Sequence, residues 1–288
     1  MIYSLGTAQF SRNYGISNLF GKPSLKEIKK ILSVAKQNNV KFLDLAEDYE
    51  GVIRLLGKIK INHFKIILKL KIKSSYTKKK IIRNFKNCLK LLNLKKIHAV
   101  LIHNVNDFNY KELNNVFEVF KYLKSIGLIN KFGISIYSLK EAKKFIKIYN
   151  INFLQVPLNV FDQELIKNKN YLYFKNTKTE IHVRSIFLQG LLLMNINTLP
   201  KYFKKWKNLF NKFERKKIYY KKNAFELCIN FIKINIKKFK SVVIGVNSTK
   251  ELNEIIFAFK KNKYKIFYKN LSCSDKNLIY PYNWKIKK

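Results

Sequence analysis

Short apolar runs alternate along the chain with longer stretches in which apolar residues recur at three- and four-residue intervals. That alternation is the pattern of repeated β–α units around a parallel sheet. Eight runs read as strands: Ile2–Thr7, Lys41–Asp44, Phe64–Leu70, Ala99–His103, Phe132–Ser135, Phe153–Val156, Ile181–Ser185 and Ser241–Gly245. Between them the helical spacing predicts helices over Ser24–Asn38, Val52–Lys58, Lys78–Leu92, Lys111–Ile126, Leu139–Tyr149 and a long one near Lys217–Asn235. Ser24 with Glu27 three residues on has the spacing of a capping box, a strong start signal.

Eight strands with eight connections are what a closed (β/α)8 TIM barrel needs, and the spacing leaves no linker or second domain. The 288 residues therefore read as one domain, a length at which a single α/β barrel is common. A doubly wound open sheet is the alternative. It would carry a glycine-rich turn after its first strand, where Leu5-Gly6-Thr7-Ala8-Gln9-Phe10 offers one glycine only.

Two stretches stand outside the repeat. Tyr202–Lys222 is crowded with lysine and aromatic residues; it reads as a solvated basic helix with Trp206 and Phe210 turned to the core, the other reading being a loop over the barrel mouth. The tail from Tyr264 to Lys288 carries Phe267, Tyr268, Tyr280, Tyr282 and Trp284. Such a tail packs on the barrel, and one folded over the mouth would line a pocket.

Composition changes the picture in one respect. Lys and Arg number 59 against 17 Asp and Glu, a formal net charge of +42. Clustered cations of that number would suit a polyanion. The lysines, however, run throughout the chain alongside abundant Asn, Ile, Phe and Tyr. Arginine, the better fork for phosphate, stands only at Arg12, Arg54, Arg83, Arg184 and Arg215. The spread points to compositional drift, with weak, salt-sensitive attraction to nucleic acid and no specific binding. Charge of this size also favours a monomer through self-repulsion. Cys88, Cys228 and Cys273 are odd in number and far apart, which suits neither a disulfide framework nor a metal site. No signal peptide is apparent at Met1–Gly6, and the longest apolar stretches, around Ile186–Met194, fall short of a membrane span. A reducing, cytoplasmic setting is the expectation.

The chemistry is expected where the strands end. In a (β/α)8 barrel those ends converge on one face, so Asp44, Lys69 and His103, closing the second, third and fourth runs, become neighbours there. Tyr49 lies five residues past Asp44. A tyrosine, with a pKa of about 10, is a poor acid at neutral pH, but a cation close by favours its phenolate. Lys69 is the cation in reach, Asp44 would hold Lys69 charged, and His103 would orient a substrate oxygen. His63, His98 and His182 show no comparable partners and read as surface or strand-start residues.

With those placements on the page, the chain resembles the aldo-keto reductases over nearly its whole length. Leu5-Gly6-Thr7-Ala8-Gln9-Phe10 with Asn13-Tyr14-Gly15-Ile16 is similar to a bacterial branch of that family. Asp44-Leu45-Ala46-Glu47-Asp48-Tyr49 matches its Asp-x-Ala-x-x-Tyr signature, Leu68-Lys69-Leu70 its lysine strand, and Val100-Leu101-Ile102-His103-Asn104 its histidine strand. Gly133-Ile134-Ser135, Leu154-Gln155-Val156-Pro157-Leu158-Asn159 and Val243-Ile244-Gly245-Val246 follow in the family's order. The resemblance implies an NADPH- or NADH-dependent enzyme that reduces an aldehyde or ketone, sugar-like compounds being the guess from the branch resembled, with NADPH the family's habit. It implies Tyr49 as general acid, Lys69 and Asp44 tuning it, and His103 positioning the carbonyl. Ser135 and Gln155 would hold the nicotinamide carboxamide, Arg184 and Ser185 would lie beside its ring, and Gly245, Val246, Ser248 and Glu254 would lie at the adenosine end.

The chain departs from the family at Ile136, where an asparagine is common, at Arg184, where many members have a ring-stacking tyrosine, and at Glu251 and Ile255 near the adenosine. A carboxylate there would repel a 2′-phosphate, although Lys250 next door and the overall positive field would offset it. Two other readings follow: a cofactor-binding regulatory or sensing barrel without turnover, supported by the departures, and a polyanion-binding protein, supported by net charge alone.

Overall fold

The computed structural model describes residues 2–286 apart from residues 13, 19, 20, 104, 106 and 107. Asn13 and Asn104, which contributed to two of the matched motifs, lie outside the described residues.

Eight parallel strands close into a barrel in sequence order. They are β1 (Ile2–Gly6), β2 (Phe42–Ala46), β3 (Lys65–Leu70), β4 (Ile97–Ile102), β5 (Ile129–Ser135), β6 (Phe153–Pro157), β7 (Glu180–Arg184) and β8 (Ser241–Gly245), with β8 returning to pair with β1. Each strand falls on an expected run. The helices are α1 (Leu25–Gln37), α2 (Val52–Gly57), α3 (Lys78–Leu92), α4 (Tyr110–Ser125), α5 (Leu139–Tyr149), α6 (Tyr171–Asn176), α7 (Lys207–Tyr219), α8 (Ala224–Asn235), α9 (Thr249–Lys260) and a single turn, α10 (Lys276–Ile279). Among the described residues no helix is long and apolar enough to cross a membrane.

The period of two along each strand builds two apolar layers. Residues such as Leu43, Leu45, Leu68, Val100, Leu154 and Val183 face the helices in one large core. Phe42, Ile67, Ala99, Leu101 and Phe153 form a separate cluster. The next positions of the same inward rows, toward the strands' C-terminal ends, are Asp44, Lys69, His103 and Gln155, so the apolar filling gives way to polar side chains at one mouth. Gly133 allows the close approach of β5 and β6, since a Cβ there would stand 1.7 Å from the Phe153 carbonyl oxygen.

Three expectations are corrected. The long helix near Lys217–Asn235 is two helices, because Lys221 takes a left-handed backbone (φ 50°) and Asn223 starts α8 afresh through a capping box with Glu226. The Tyr202–Lys222 stretch opens as a 3-10 turn, Lys201–Trp206, before α7, with Trp206 and Phe210 buried as expected. Ser24 caps α1 by accepting from the Glu27 N–H, but Glu27 does not return the bond. Its carboxylate accepts instead from the Thr249 N–H at 2.6 Å, tying the start of α1 to the start of α9.

The opposite end of the barrel holds a cluster that sequence reading missed. His98 and His182, taken as partnerless, both place Nε2 on Glu180 Oε1, at 3.1 and 2.9 Å, while Lys131 Nζ lies 2.7 Å from Oε2. Three donors on one carboxylate make these polar strand positions tolerable inside the wall. The His182 ring also packs edge-on to Phe42, with centroids 4.7 Å apart.

Candidate active site

At the C-terminal mouth, Asp44 on β2 and Lys69 on β3 are both buried, and Lys69 Nζ donates to Asp44 Oδ1 at 2.5 Å. Asp44 Oδ2 accepts from Gln155 Nε2 at 2.6 Å, across the barrel from β6. Ser135 Oγ at the end of β5 donates to Gln155 Oε1 at 3.2 Å, and Lys69 Nζ approaches the same oxygen at 3.5 Å. Four strands thus meet in one hydrogen-bonded chain, and each partner fixes the next.

Tyr49 sits in the loop after β2, buried, with Lys69 Nζ 5.5 Å from its ring centroid. His103 lies just past β4; its ring meets Tyr49 edge-on with centroids 6.3 Å apart. His103 Nδ1 stands 3.3 Å from Asp48 Oδ1. The acid, tyrosine, lysine and histidine are therefore brought together.

Their electrostatics differ in one respect from the expectation. Burial, the largest single effect, opposes the Lys69 ammonium, but the charge of Asp44, the neighbouring Tyr49 and the hydrogen bond to Asp44 together outweigh it and lift the lysine above its ordinary value, so Lys69 is charged. Tyr49 was expected to be made more acidic by Lys69. Burial is the larger effect, and it leaves the phenol above its ordinary value although Lys69 pulls the other way. The Asp48 carboxyl, despite burial, is held below its usual range by its bond to His103.

These groups open into a cavity of about 1240 Å³. Ser135, Gln155, Arg184, Ser185, Gly245 and Glu254 line it with the four strand-end residues, as do Ile136, Glu251 and Ile255. Val246 and Ser248 do not: Val246 is buried in the core, and Ser248 caps α9, its hydroxyl accepting from the Glu251 N–H at 3.1 Å. Arg184 does not stand free. Its guanidinium lies 4.2 Å over the Tyr137 ring centroid and donates to Ser185 Oγ at 3.3 Å. From the tail, Lys276, Tyr280 and Tyr282 also line the cavity.

Sequence reading missed Asp48, Tyr14 and Tyr137 as members of this wall. Asp48 had a signal, being an acid beside Tyr49 at the same strand end. Tyr137 had only its place two residues after Ser135.

A closed parallel barrel with a buried carboxylate–lysine pair, a tyrosine and a histidine at its C-terminal mouth has the layout of a barrel enzyme. Residues 4–271 match the model of the aldo/keto reductase family, and the chain belongs to it. Members of that family use NAD(P)H. Among solved structures the chain is similar to the holo form of the aldo-keto reductase AKR11C1 from Bacillus halodurans (16% identity, 91% of this chain and 88% of that one, TM-score 0.70). It is also similar to the glycerol dehydrogenase AKR11B4 from Gluconobacter oxydans (16%, 91% and 87%, TM-score 0.69). A third is a Bombyx mori aldo-keto reductase in complex with NADP (14%, 94% and 86%, TM-score 0.64). At these identities the likeness is one of fold.

Among curated sequences, 284 residues align at 25% identity with the RNA polymerase subunit beta' of Oedogonium cardiacum. The chain spans 13% of that relative's length, and 10% of a second, the beta subunit of Carsonella ruddii.

The residues present fit a dinucleotide. The volume exceeds the roughly 300–1,000 Å³ of drug-sized sites, leaving room for a cofactor and a small substrate. At the end of β8 the wall is bare backbone at Gly245, where a Cβ would stand 2.3 Å from the Gln9 amide. From there the cavity reaches Asn247, Glu251 and Glu254 at the start of α9.

Proposed function

We propose that the chain reduces an aldehyde or ketone to an alcohol, with Tyr49 as the proton donor. The observation that carries this is the junction of Tyr49 with a buried, charged Lys69 that is itself held by Asp44. A nicotinamide cofactor supplies the hydride when bound. Tyr49, raised by burial, keeps its proton at neutral pH and gives it to the carbonyl oxygen as that oxygen becomes an alkoxide. The ammonium of Lys69 then stabilises the phenolate left behind, and Asp44 with Gln155 holds that ammonium in place. His103, fixed by Asp48, orients the carbonyl oxygen. Exclusion of water from this buried group strengthens each of these interactions.

Gln155 and Ser135 face the cavity for the carboxamide, and Arg184, stacked on Tyr137, presents a planar cation beside it. Gly245 and Glu254 serve the adenosine end, with Val246 and Ser248 shaping the turn behind them. The substrate is a small carbonyl compound. The protein acts as a monomer in the cytoplasm, a setting that suits buried free thiols at Cys88 and Cys228.

Replacing Tyr49 by Phe removes the donor while keeping the ring. The expected outcome is a fall in kcat of roughly 10²–10⁴ on an aldehyde panel, with cofactor affinity held within about threefold. Parent-like turnover by that variant would remove Tyr49 from the reaction.

A further inference from the structure

The cavity wall beyond β8 carries two carboxylates, and of the lysines beside it Lys217 is paired and Lys250 faces outward. Glu251 and Glu254 both line it beside Asn247 and Ile255. Lys217 lines it too, but its ammonium lies 2.7 Å from Glu214 Oε2. Lys250 is exposed and is not part of the wall.

At the start of α9, ordinarily a ready anion site because its N–H groups are unpaired, three N–H groups are engaged by side chains of the chain itself. The Asn247 N–H donates to Glu251 Oε2 at 2.7 Å, the Thr249 N–H to Glu27 Oε1 at 2.6 Å, and the Glu251 N–H to Ser248 Oγ at 3.1 Å. Two of the chain's own carboxylates therefore occupy the positive end of this helix.

The reactive ring of a dinucleotide has to lie at Tyr49, which sends its adenosine ribose toward this acidic end. Carboxylates accept hydrogen bonds from ribose hydroxyls, whereas a 2′-phosphate needs cations or free N–H groups to meet its charge of about −1.5 to −2. Here it would face Glu251 and Glu254, with the Asn247, Thr249 and Glu251 N–H groups already taken. We infer that this enzyme selects NADH over NADPH, with Glu251 and Glu254 excluding the 2′-phosphate; the inference rests on the carbonyl-reductase reading above.

The test is a binding titration of the full chain with NADH and with NADPH separately, following nicotinamide emission at an ionic strength of about 0.15 M, where the Debye length is about 8 Å and the general positive field is screened. NADH is expected to bind roughly tenfold or more tightly than NADPH. The double variant Glu251→Gln, Glu254→Gln is expected to narrow that ratio about fivefold, mainly by tightening NADPH. NADPH bound as tightly as NADH, or a ratio unmoved by the double variant, overturns the selectivity and leaves the reductase reading standing. Binding of neither cofactor to the parent overturns both.

Discussion

Single residues at the mouth show how burial and charge compete. Lys69 and Tyr49 are both buried, yet one is held charged by Asp44 and the other is held neutral. A third buried group lies close by. Asp162 has Oδ2 without a partner, and burial pushes its carboxyl up from 3.8 to about 7. The folded form therefore binds a proton that the unfolded chain has released between pH 3.8 and about 7. Stability is present below that window and is lost as pH rises through it. Between about pH 5 and pH 8 the loss amounts to roughly 2–3 kcal/mol. Asp162→Asn, which carries no charge to bury, is expected to raise the unfolding midpoint over the parent at pH 8 and to leave it near the parent at pH 5. An equal shift at both values would show that the carboxylate is not carrying the cost.

At the scale of elements, legibility followed the apolar pattern and failed where polar residues were satisfied from afar. The eight runs were visible because barrel strands are buried on both faces. β4 and β5 begin at Ile97 and Ile129, earlier than the runs at Ala99 and Phe132. His98 and Lys131 hid those two starts, since nothing local shows that Glu180, on β7, will take both. Likewise the strand ends announced Asp44, Lys69 and His103, but not that Gln155 would bind Asp44 from across the barrel. The break between α7 and α8 was masked by lysines that propagate helices well, although Asn223 with Glu226 was written there.

The Glu180 cluster has its own consequence. Burial opposes its charge, but bonds from His182, His98 and Lys131 hold the carboxyl below its usual range. Its stabilisation is thus present above the unfolded value of about 4.5 and is lost as pH falls below it. Burial also holds His182 below its ordinary 6.5, so acid works against the fold there as well. Glu180→Gln leaves three donors around a single acceptor and should cost about 3–5 kcal/mol at pH 7. Urea unfolding would show that gap shrinking by about 1.4 kcal/mol for each pH unit below about 4.5. A constant gap would mean that packing, not charge, sets the loss.

For the whole molecule the excess of cations is the dominant field. With 59 basic and 17 acidic side chains, many lysines have no carboxylate to meet. They stand even where a helix would reject them: α3 opens on Lys78, Lys79 and Lys80 against its own positive end. Like charges stacked at a helix start add to self-repulsion. Raising NaCl from about 20 to about 200 mM shortens the Debye length from roughly 20 Å to roughly 7 Å. The repulsion is then screened, and the melting temperature should rise by about 3–5 °C. Retention on immobilised DNA should vanish over the same range, because scattered lysines give only counterion release. Retention that persisted at about 200 mM NaCl, with no change in melting temperature, would mean that the charge is organised for a polyanion after all.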